Sequence, residues 1–441
     1  MTKLSLLAGL LLAAPLFAFA QAAPSSASDA QLQKRVERVL TRTPLIDGHN
    51  DLPGAISMSF GNVGNIDLAA DTTNLQGRTW GGGVGKISLM TDIPRMRKGQ
   101  LGAQFWSAFI PATITGPEAI KRTIEQIDVI RTMVDKYPKD MEMAYTAADI
   151  ERIHKAGRIA SLIGVEGGHQ IDNSMAALRA YYLLGARYMT LTHARTTDWA
   201  DSATDAPKYN GLNKFGRAVV HEMNRLGMLV DISHVSPDTM RAALETSQAP
   251  VMYSHSSARA LDDHPRDVPD DILARVKANH GVVMVNFYPL FISQAVLDWQ
   301  AEQAGAKTRA DTQYPGQPER ANAALVEWSQ AHPAPQATLA QVADHIEHIR
   351  KVAGVESVGI GSDFDGIEST PVGLDAVDKY PALFVELARR GWSDDDLAAL
   401  AGNNLLRVMR QAEAVAKRLQ ATEAPSHATL GAAVQPSVAE G

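Results

Sequence analysis

The 441-residue chain contains no cysteine. Disulfide bonds, thiolate metal ligands, cysteine nucleophiles and a lipid anchor on an N-terminal cysteine are therefore excluded. The chain also lacks a cluster of lysine and arginine residues of the kind that follows a phosphate backbone, and its formal net charge is −7. Nucleic acids and anionic membrane surfaces attract such clusters, so neither is expected as a partner. A Gly-x-Ser-x-Gly motif is absent as well, which leaves a serine hydrolase without support.

Long apolar runs are missing except at the N-terminus. Lys3 precedes a largely apolar stretch at residues 4–19, and residues 18–20 (AFA) match the small-residue cleavage site of a secretory signal peptide. A membrane anchor is the alternative interpretation, but this stretch is short for a span and is interrupted by Pro15. We interpret residues 1–20 as a signal peptide. The mature protein is then expected to be periplasmic or secreted and to have no membrane span.

Apolar residues make up 45% of the chain and charged residues 21%, which is sufficient for one large core. From about residue 44 to about residue 410, short β-rich apolar runs alternate with helical patterns, as in a parallel sheet with crossover helices. Eight such runs occur, at residues 45–47, 105–110, 159–165, 188–192, 228–232, 251–253, 282–287 and 357–360. Eight parallel strands close into a barrel without edges, so we expect an α/β fold, a (β/α)8 TIM-like barrel with inserted helices.

The remaining segments set the expected limits of this barrel domain. Residues 21–43 are predicted to form a lead-in helix, residues 44–421 the barrel, and the Ala-, Pro- and Ser-rich residues 422–441 a disordered tail. The stretch at residues 293–335 exceeds a normal connection and is predicted to be an inserted helical excursion rather than a separate domain. Five helical patterns fit the outer ring of the barrel: residues 117–137, 174–184, 213–226, 236–247 and 338–352.

Several of the apolar runs end in residues that bind metals. His49 and Asp51 follow the first run, and alternate residues of a strand point the same way, so both could contact one ion. A lone His-x-Asp pair often occurs by chance, and a single histidine at a strand end is usually structural. His234 and His255, however, also close apolar runs, and Glu166 follows another. Imidazole and carboxylate groups at four strand ends of one barrel favour a metal site.

The number of candidate ligands indicates two metal ions rather than one. Glu166 has two carboxylate oxygens and could bridge two zinc ions. His49 and Asp51 would complete one site, and His234 and His255 would complete the other. Two such ions would hold a bridging hydroxide as the nucleophile, because zinc lowers the pKa of bound water from about 15.7 to about 7.

Six segments make this sequence similar to the membrane dipeptidase family. They are residues 44–53 (PLIDGHNDLP), 164–169 (GVEGGH), 190–193 (TLTH), 253–258 (YSHSSA), 361–366 (GSDFDG) and 403–408 (NNLLRV). The resemblance spans nearly the whole chain after the expected signal peptide. It implies a (β/α)8 barrel that binds two zinc ions, hydrolyses dipeptides and accepts a D-amino acid at the C-terminal position. All of the candidate metal ligands match the family residue by residue.

The resemblance also implies roles in catalysis and substrate binding. His193 matches the family's substrate-binding histidine, which stabilises the oxyanion at the scissile carbonyl. Asp363 matches the acid that carries a proton to the leaving amine, and Asp365 is the alternative candidate. Arg266 matches the arginine that binds the terminal carboxylate of the substrate and so restricts the enzyme to dipeptides. Glu166 is then both a metal ligand and a catalytic residue.

Other polar residues are given different interpretations. His345 and His348 lie three apart in a helical pattern without His-Glu-x-x-His order, which indicates a pair on a helix surface. Without the resemblance, Arg266 would be a solvated loop charge. Asn286 and Tyr288 follow the seventh run and are expected to line the pocket.

Two other functions stay open on the sequence alone. The same metal site could hydrolyse another small amide, such as a β-lactam or an N-acyl amino acid. A non-catalytic periplasmic binding protein could have kept the pocket, although the presence of every candidate ligand argues against it. Members of the family are often homodimers, and a dimer of this chain would be noncovalent because the sequence has no cysteine.

Overall fold

The computed structural model describes residues 28–79 and 82–431, so the expected signal peptide lies outside the described residues. The strands are β1 (Leu45–Asn50), β2 (Leu75–Arg78), β3 (Val84–Ile87), β4 (Leu101–Phe109), β5 (Met141–Met143), β6 (Ile159–Glu166), β7 (Ala186–Thr190), β8 (Leu229–Asp231), β9 (Met252–Tyr253), β10 (Val282–Val285) and β11 (Val358–Ile360). The α-helices are α1 (Asp29–Arg42), α2 (Leu52–Phe60), α3 (Ile93–Lys98), α4 (Pro117–Lys136), α5 (Ala147–Lys155), α6 (Met175–Leu184), α7 (Lys214–Leu226), α8 (Pro237–Thr246), α9 (Asp270–Asn279), α10 (Gln294–Gln313), α11 (Pro318–Ala331), α12 (Leu339–Ala353), α13 (Tyr380–Arg389), α14 (Asp394–Ala398) and α15 (Asn404–Thr422).

Eight of these strands form a closed parallel barrel. They pair in the order β1, β4, β6, β7, β8, β9, β10, β11 and back to β1. Each of the eight predicted runs overlaps one barrel strand, and the predicted (β/α)8 fold is therefore confirmed. The short strand β5, which was not predicted, pairs with the first residues of β6.

The first and last barrel strands are joined by one buried carboxylate. Oδ1 of Asp47 in β1 accepts a hydrogen bond from the backbone amide of Ser362, 315 residues further along the chain, at 2.7 Å. Oδ2 of the same carboxylate accepts from the hydroxyl of Ser362 at 2.6 Å and from the hydroxyl of Tyr380 at 2.7 Å. Burial raises the pKa of Asp47, while these hydrogen bonds lower it. Asp47 therefore ties the end of β11 to β1.

Burial explains why the barrel strands are apolar runs. Every residue of β1, β6 and β10 is buried. The inner faces of the strands pack together, with Phe105 and Tyr188 in contact at 5.1 Å between ring centroids, and the outer faces pack against the helices. A strand covered on both faces has no polar side to present to water, so its sequence does not alternate.

The predicted outer helices are also found, and their starts follow from capping. In four of them an N-cap side chain accepts a hydrogen bond from a backbone amide three residues later: Ser174, Asn213, Ser236 and Thr338. Such caps satisfy amides that have no partner within the helix and typically stabilise it by about 1 kcal/mol.

Two insertions depart from the regular alternation of strand and helix. Between β1 and β4 the chain forms α2, the antiparallel hairpin β2–β3 and α3. The second insertion is the helical excursion expected at residues 293–335. It consists of α10 and α11, which pack against each other and bury few residues.

The ends of the described chain pack onto the barrel. Helix α1 lies against α13 and α14. After α15, the backbone amide of Ser426 donates to Oε2 of Glu222 at 3.1 Å, and its carbonyl accepts from Nη1 of Arg179 at 2.8 Å. Residues 423–431 are thus held in place, which differs from the disorder expected from residue 422 onward, and residues 432–441 lie outside the described residues. No helix in the described part of the chain is long and apolar enough to cross a bilayer.

Candidate active site

The carboxyl ends of the barrel strands carry a cluster of imidazole and carboxylate side chains. Parallel strands of a barrel end at the same rim, so residues that follow different strands converge there. The cluster consists of His49 within β1, Asp51 directly after it, Glu166 at the end of β6, His193 after β7, His234 after β8, His255 after β9 and Asp363 after β11.

Glu166 lies at the centre of this cluster. Its Oε1 atom is 3.0 Å from Nε2 of His234 and 3.4 Å from Nε2 of His255. Nε2 of His193 lies 3.7 Å from the same oxygen. The other oxygen, Oε2, is 3.5 Å from Nε2 of His49. One carboxylate therefore faces four imidazole nitrogens.

Asp51 and Asp363 extend the cluster on the side of His49. Nε2 of His49 is 3.1 Å from Oδ2 of Asp51 and 4.0 Å from Oδ1 of Asp363. The structure thus brings together all five residues that the sequence proposed as ligands. His193 and Asp363 lie within the same group, so distance alone does not separate the proposed ligands from these two residues.

Three residues of this rim adopt a left-handed backbone conformation that side chains disfavour. The φ angles are 65° at His234, 67° at Asp363 and 64° at Asp365. This conformation costs roughly 1–2 kcal/mol in a non-glycine residue. Asp363 is held in it by a hydrogen bond from its amide to the carbonyl of His49 at 3.2 Å. Strain maintained by surrounding contacts is typical of functional sites.

Two of the imidazoles have fixed partners on the side away from Glu166. Nδ1 of His49 is 2.8 Å from the hydroxyl of Tyr188. Nδ1 of His255 is 2.7 Å from the hydroxyl of Ser254, which donates its proton to Oδ2 of Asp231 at 2.6 Å. Because that proton is committed to Asp231, Nδ1–H of His255 is the donor to Ser254. The lone pair of Nε2 then points into the cluster, as it does in a metal-bound histidine.

Tyr188 depends on the glycine that lies two residues before Glu166. A Cβ atom on Gly164 would lie 1.9 Å from Cζ of Tyr188, so only glycine leaves room for the ring. The ring fills this space and brings the hydroxyl to His49. Tyr188 could not be recognised from the sequence as a residue of the site, because a tyrosine in a buried strand is normally a core residue.

Asp363 is placed to exchange protons. Its Oδ2 atom accepts a hydrogen bond from Nδ2 of Asn286 at 2.9 Å, so Asn286 supports this acid. Burial raises the pKa of Asp363 to about 8; His49 opposes the rise, while Asp51 and Glu166 add to it. A cation bound beside these carboxylates would lower this pKa.

The protonation states of three imidazoles and of Glu166 suit metal binding. Burial lowers the pKa of His193, and lowers those of His234 and His255 well below their usual range, so these rings are neutral at pH 7. Burial alone would raise the pKa of Glu166, but the facing imidazoles hold it well below its usual range. Although burial opposes it, the neighbouring phenol and carboxylates raise the pKa of His49 well above its usual value. Positive charge is therefore favoured at this position.

Arg266 lies in the same cavity, which has a volume of about 500 Å³. The side chain is buried, with Nη1 donating to the hydroxyl of Ser256 at 3.2 Å and Nη2 donating to the carbonyl of His255 at 3.1 Å. The ring of Phe291 lies 5.1 Å from its guanidinium carbon. Arg266 is therefore not a solvated loop charge. The wall of the cavity includes Ala55, Met58, Ile87, Met90, Phe109 and Tyr288.

His345 does not lie on a helix surface, and that part of the sequence interpretation was wrong. It is buried on α12, where Nδ1 accepts a hydrogen bond from the amide of Ala258 at 3.0 Å and Nε2 donates to the carbonyl of Ile292 at 3.1 Å. His348, one turn later, faces Asp270 at the surface at 2.7 Å. The burial of His345 could have been predicted from the sequence, because position 345 shares its helix face with apolar residues that are buried on the same helix.

The cluster provides donor sets that fit metal ions. In three sets of residues, the ligand atoms all lie within 4.8 Å of one another: His49, Glu166 and His255; Glu166, His193 and His234; and His49, Asp51 and Asp363. Imidazole and carboxylate donors suit zinc. The sets divide the residues differently from the two proposed sites, but each contains Glu166 or His49.

A (β/α)8 barrel with such a cluster at the carboxyl ends of its strands defines a metal-dependent hydrolase. The sequence profile of the membrane dipeptidase family, peptidase family M19, matches residues 33–423. The chain therefore belongs to the membrane dipeptidase family, as its motifs implied. It is a hydrolase of the dipeptidase type.

Individual relatives agree with this assignment. The chain is 41% identical over 396 residues to an uncharacterised dipeptidase of Schizosaccharomyces pombe. The alignment covers 86% of this chain and 84% of the relative. The crystal structure of the probable dipeptidase PvdM from Pseudomonas aeruginosa matches with a TM-score of 0.71 at 22% identity, over 88% of this chain and 99% of that chain. A metallopeptidase from Rhodobacter sphaeroides, crystallised with a phosphinate mimic of the dipeptide L-Ala-D-Ala, has a TM-score of 0.66 at 21% identity, over 84% and 99% of the two chains. The two crystal structures support the fold.

Proposed function

We propose that this protein is a zinc-dependent dipeptidase that accepts either an L- or a D-amino acid at the C-terminal position of its substrate. The observation that carries the proposal is the convergence of Glu166 and the surrounding imidazoles in one cavity with the buried Arg266. Membership of the family supplies the reaction. The R. sphaeroides relative, which holds a mimic of L-Ala-D-Ala, supports tolerance of a D-residue.

Two zinc ions would be held by five residues. His49 and Asp51 would bind one ion and His234 and His255 the other. Glu166 would bind both, because its two oxygens face different imidazoles. Bound there, zinc supplies a water molecule activated as a nucleophile near neutral pH and polarises the scissile carbonyl.

Arg266 would select substrates by their terminal carboxylate. Its Nε atom is buried and has no hydrogen-bond partner among the described residues, so the guanidinium can still donate to an anion. A guanidinium fork matches a carboxylate. A tripeptide would place a neutral peptide group at this position and leave the buried charge unpaired. Restriction to dipeptides follows.

During hydrolysis, His193 would stabilise the developing negative charge and Asp363 would transfer a proton. The neutral His193 is 21% exposed and can donate a hydrogen bond to the carbonyl oxygen as negative charge develops there. Asp363 would take the proton of the attacking water and transfer it to the leaving amine. Asp365 is less suited to this role, because its Oδ1 atom accepts a hydrogen bond from the amide of Met90 at 2.6 Å.

The proposal is tested by the release of free amino acids from L,L and L,D dipeptides, the matching tripeptides, N-acyl amino acids and a β-lactam. We expect zinc-dependent cleavage of dipeptides only, reduced to background in Glu166→Ala. Arg266→Ala should lower kcat/KM for dipeptides by about 100-fold, because a charge-assisted pair is lost. The matched control is Arg259→Ala, because Arg259 pairs with Asp263 outside the cavity, at 2.8 Å.

Two results would contradict the proposal. Full activity after thorough removal of zinc would exclude the metal-dependent reaction. If the zinc-loaded protein leaves every dipeptide intact but hydrolyses an N-acyl amino acid or a β-lactam, the proposed metal site stands and the proposed substrate is wrong.

We further propose that the chain is exported and that a signal peptide is removed after Ala20. Support comes from Lys3, the apolar residues 4–19 and the small residues at positions 18–20. Fractionation of the producing cells, followed by N-terminal sequencing of the protein, should find a chain that begins at Gln21 outside the cytoplasm. A cytoplasmic chain that retains residues 1–20 would contradict the proposal.

A further inference from the structure

Arg266 depends on two loops that come from different parts of the chain. The first loop, residues 256–268, carries Arg266 and is closed at its neck, where the amide of Arg259 donates to the carbonyl of Val268 at 3.0 Å. The second loop follows β10 and carries Phe291, whose ring lies over the guanidinium. The guanidinium therefore contacts both loops, with Ser256 bonded to it from the first loop and Phe291 lying against it from the second.

One buried side chain joins these loops. His345 on α12 accepts a hydrogen bond from the amide of Ala258, at the neck of the first loop. Through its other ring nitrogen it donates to the carbonyl of Ile292, next to Phe291 in the second loop. Helix α12 itself is fixed to the barrel by a buried apolar face. The rigid imidazole of His345 thus holds the two loops at a fixed separation, because its helix is itself fixed to the barrel.

We propose that His345 is a positioning residue for the subsite that binds the terminal carboxylate of the substrate. This inference rests on the proposed role of Arg266. A neutral imidazole has one acceptor and one donor nitrogen at a fixed distance, and both are used here. His345 does not touch the substrate, and it acts by holding Arg266 and Phe291 together. An aliphatic side chain would leave the buried amide and carbonyl unpaired and release both loops.

The experiment compares hydrolysis of L-Ala-D-Ala with hydrolysis of its C-terminal amide, which has the same scissile bond but no carboxylate. Wild type should prefer the free carboxylate. In His345→Leu we expect KM for the dipeptide to rise about tenfold while kcat changes less than about threefold, since misplacement of a binding group weakens its contact with the substrate. The preference for the dipeptide over its amide should fall by a similar factor.

Two further variants separate positioning from general loss of structure. His348→Leu is the matched control, because His348 lies one turn along the same helix and, among the described residues, bonds to surface Asp270 alone. It should keep the wild-type preference. His345→Asn can still accept from the amide of Ala258, and we expect it to recover a preference within about threefold of wild type. If His345→Leu fails to fold, a loss of activity in His345→Asn that is equal on the dipeptide and on the amide overturns the inference.

The outcomes distinguish this inference from the proposed function. If His345→Leu and His345→Asn both keep the wild-type preference, or lose activity equally on the dipeptide and on the amide, His345 is only structural and the inference is overturned. If wild type itself shows no preference for the free carboxylate, the role of Arg266 fails and the inference fails with it.

Discussion

Gly366, in the segment that follows the last barrel strand, lies against the carboxylates of Asp51 and Asp363. A Cβ atom on this residue would be 2.1 Å from Oδ2 of Asp51 and 2.8 Å from Oδ1 of Asp363. Neither carboxylate can retreat freely, since Asp51 also contacts His49 and Asp363 is bonded to Asn286. The smallest possible side chain at this position therefore displaces a proposed metal ligand, a proposed proton carrier, or both.

We expect Gly366→Ala to reduce bound zinc from two ions per chain toward one and to lower kcat/KM by about 100-fold, because misplacing a catalytic group by about 1 Å has effects of that size. Metal analysis of the purified protein and dipeptide hydrolysis check this. Gly54→Ala is the control, because Gly54 also lines the cavity but an added Cβ would meet no atom within 4 Å. Equal zinc content and activity in the two variants would refute the steric argument.

The sequence could predict those site residues whose signal is local. His49, Glu166, His234 and His255 each close an apolar run, and the ends of parallel strands must meet, so their convergence followed from the fold. Tyr188 could not be found in this way. Its role depends on the space left by Gly164 in a different strand, and single-sequence patterns do not show which side chains face each other across a barrel.

At the scale of elements, the last described segment of the chain is bound to α6 and α7 through one buried carboxylate. Oε2 of Glu222 accepts from Nε of Arg225 at 2.8 Å, and Oε1 accepts from Nη1 of Arg179 on α6 at 3.2 Å. Its third partner is the backbone amide of Ser426. Composition predicted disorder from residue 422 because the segment has little to bury. It could not show that backbone groups of this segment bind charged side chains.

We expect Glu222→Gln to lower the free energy of unfolding by about 1–3 kcal/mol at pH 7, because charge-assisted hydrogen bonds are lost. Burial alone would raise the pKa of Glu222, but Arg225, the amide of Ser426 and Arg179 lower it. A lowered folded-state pKa provides stability that is complete above the unfolded-state pKa of about 4.3 and is lost as pH falls through the folded-state value. The difference between the two proteins should therefore narrow below about pH 4.

Urea unfolding of both proteins across this pH range measures the effect. Glu118→Gln serves as the comparison, because Glu118 pairs with Arg122 on an exposed face of α4. We expect that substitution to change stability by less than about 1 kcal/mol at any pH. A Glu222→Gln difference that stays constant down to pH 3 would show that the charge of Glu222 is not the cause.

All eight barrel strands could be predicted, and the strands that were missed are short. All eight barrel strands are covered on both faces, which makes each of them an apolar run. Strand β5 has only three residues, and the hairpin β2–β3 is partly exposed along both strands, so neither forms such a run. Prediction succeeded where burial dominates the composition of a segment and failed where pairing with a neighbour decides the structure.

At the scale of the whole molecule, zinc should contribute to stability as well as to catalysis. A ligand that binds only the folded state stabilises it by about 4.1 kcal/mol at 1,000 times its Kd. We expect removal of metal by a chelator to lower the melting temperature by several degrees and added zinc to restore it. Arg266→Ala should show the same zinc-dependent change in melting temperature as the wild type, and Glu166→Ala should not. If the melting temperature of Glu166→Ala responds to zinc as that of the wild type does, zinc binds outside this cluster.

The closure of the barrel has a consequence for the synthesis of the chain. Asp47 belongs to the first strand to emerge from the ribosome, yet its partner Ser362 follows 315 residues later. The ring cannot be sealed until most of the polypeptide exists, and such distant pairing is slow to form. If the chain is exported as proposed, this delay is useful, because a translocation channel must receive the chain before it folds. The topology itself would then keep the polypeptide open long enough to be threaded across the membrane.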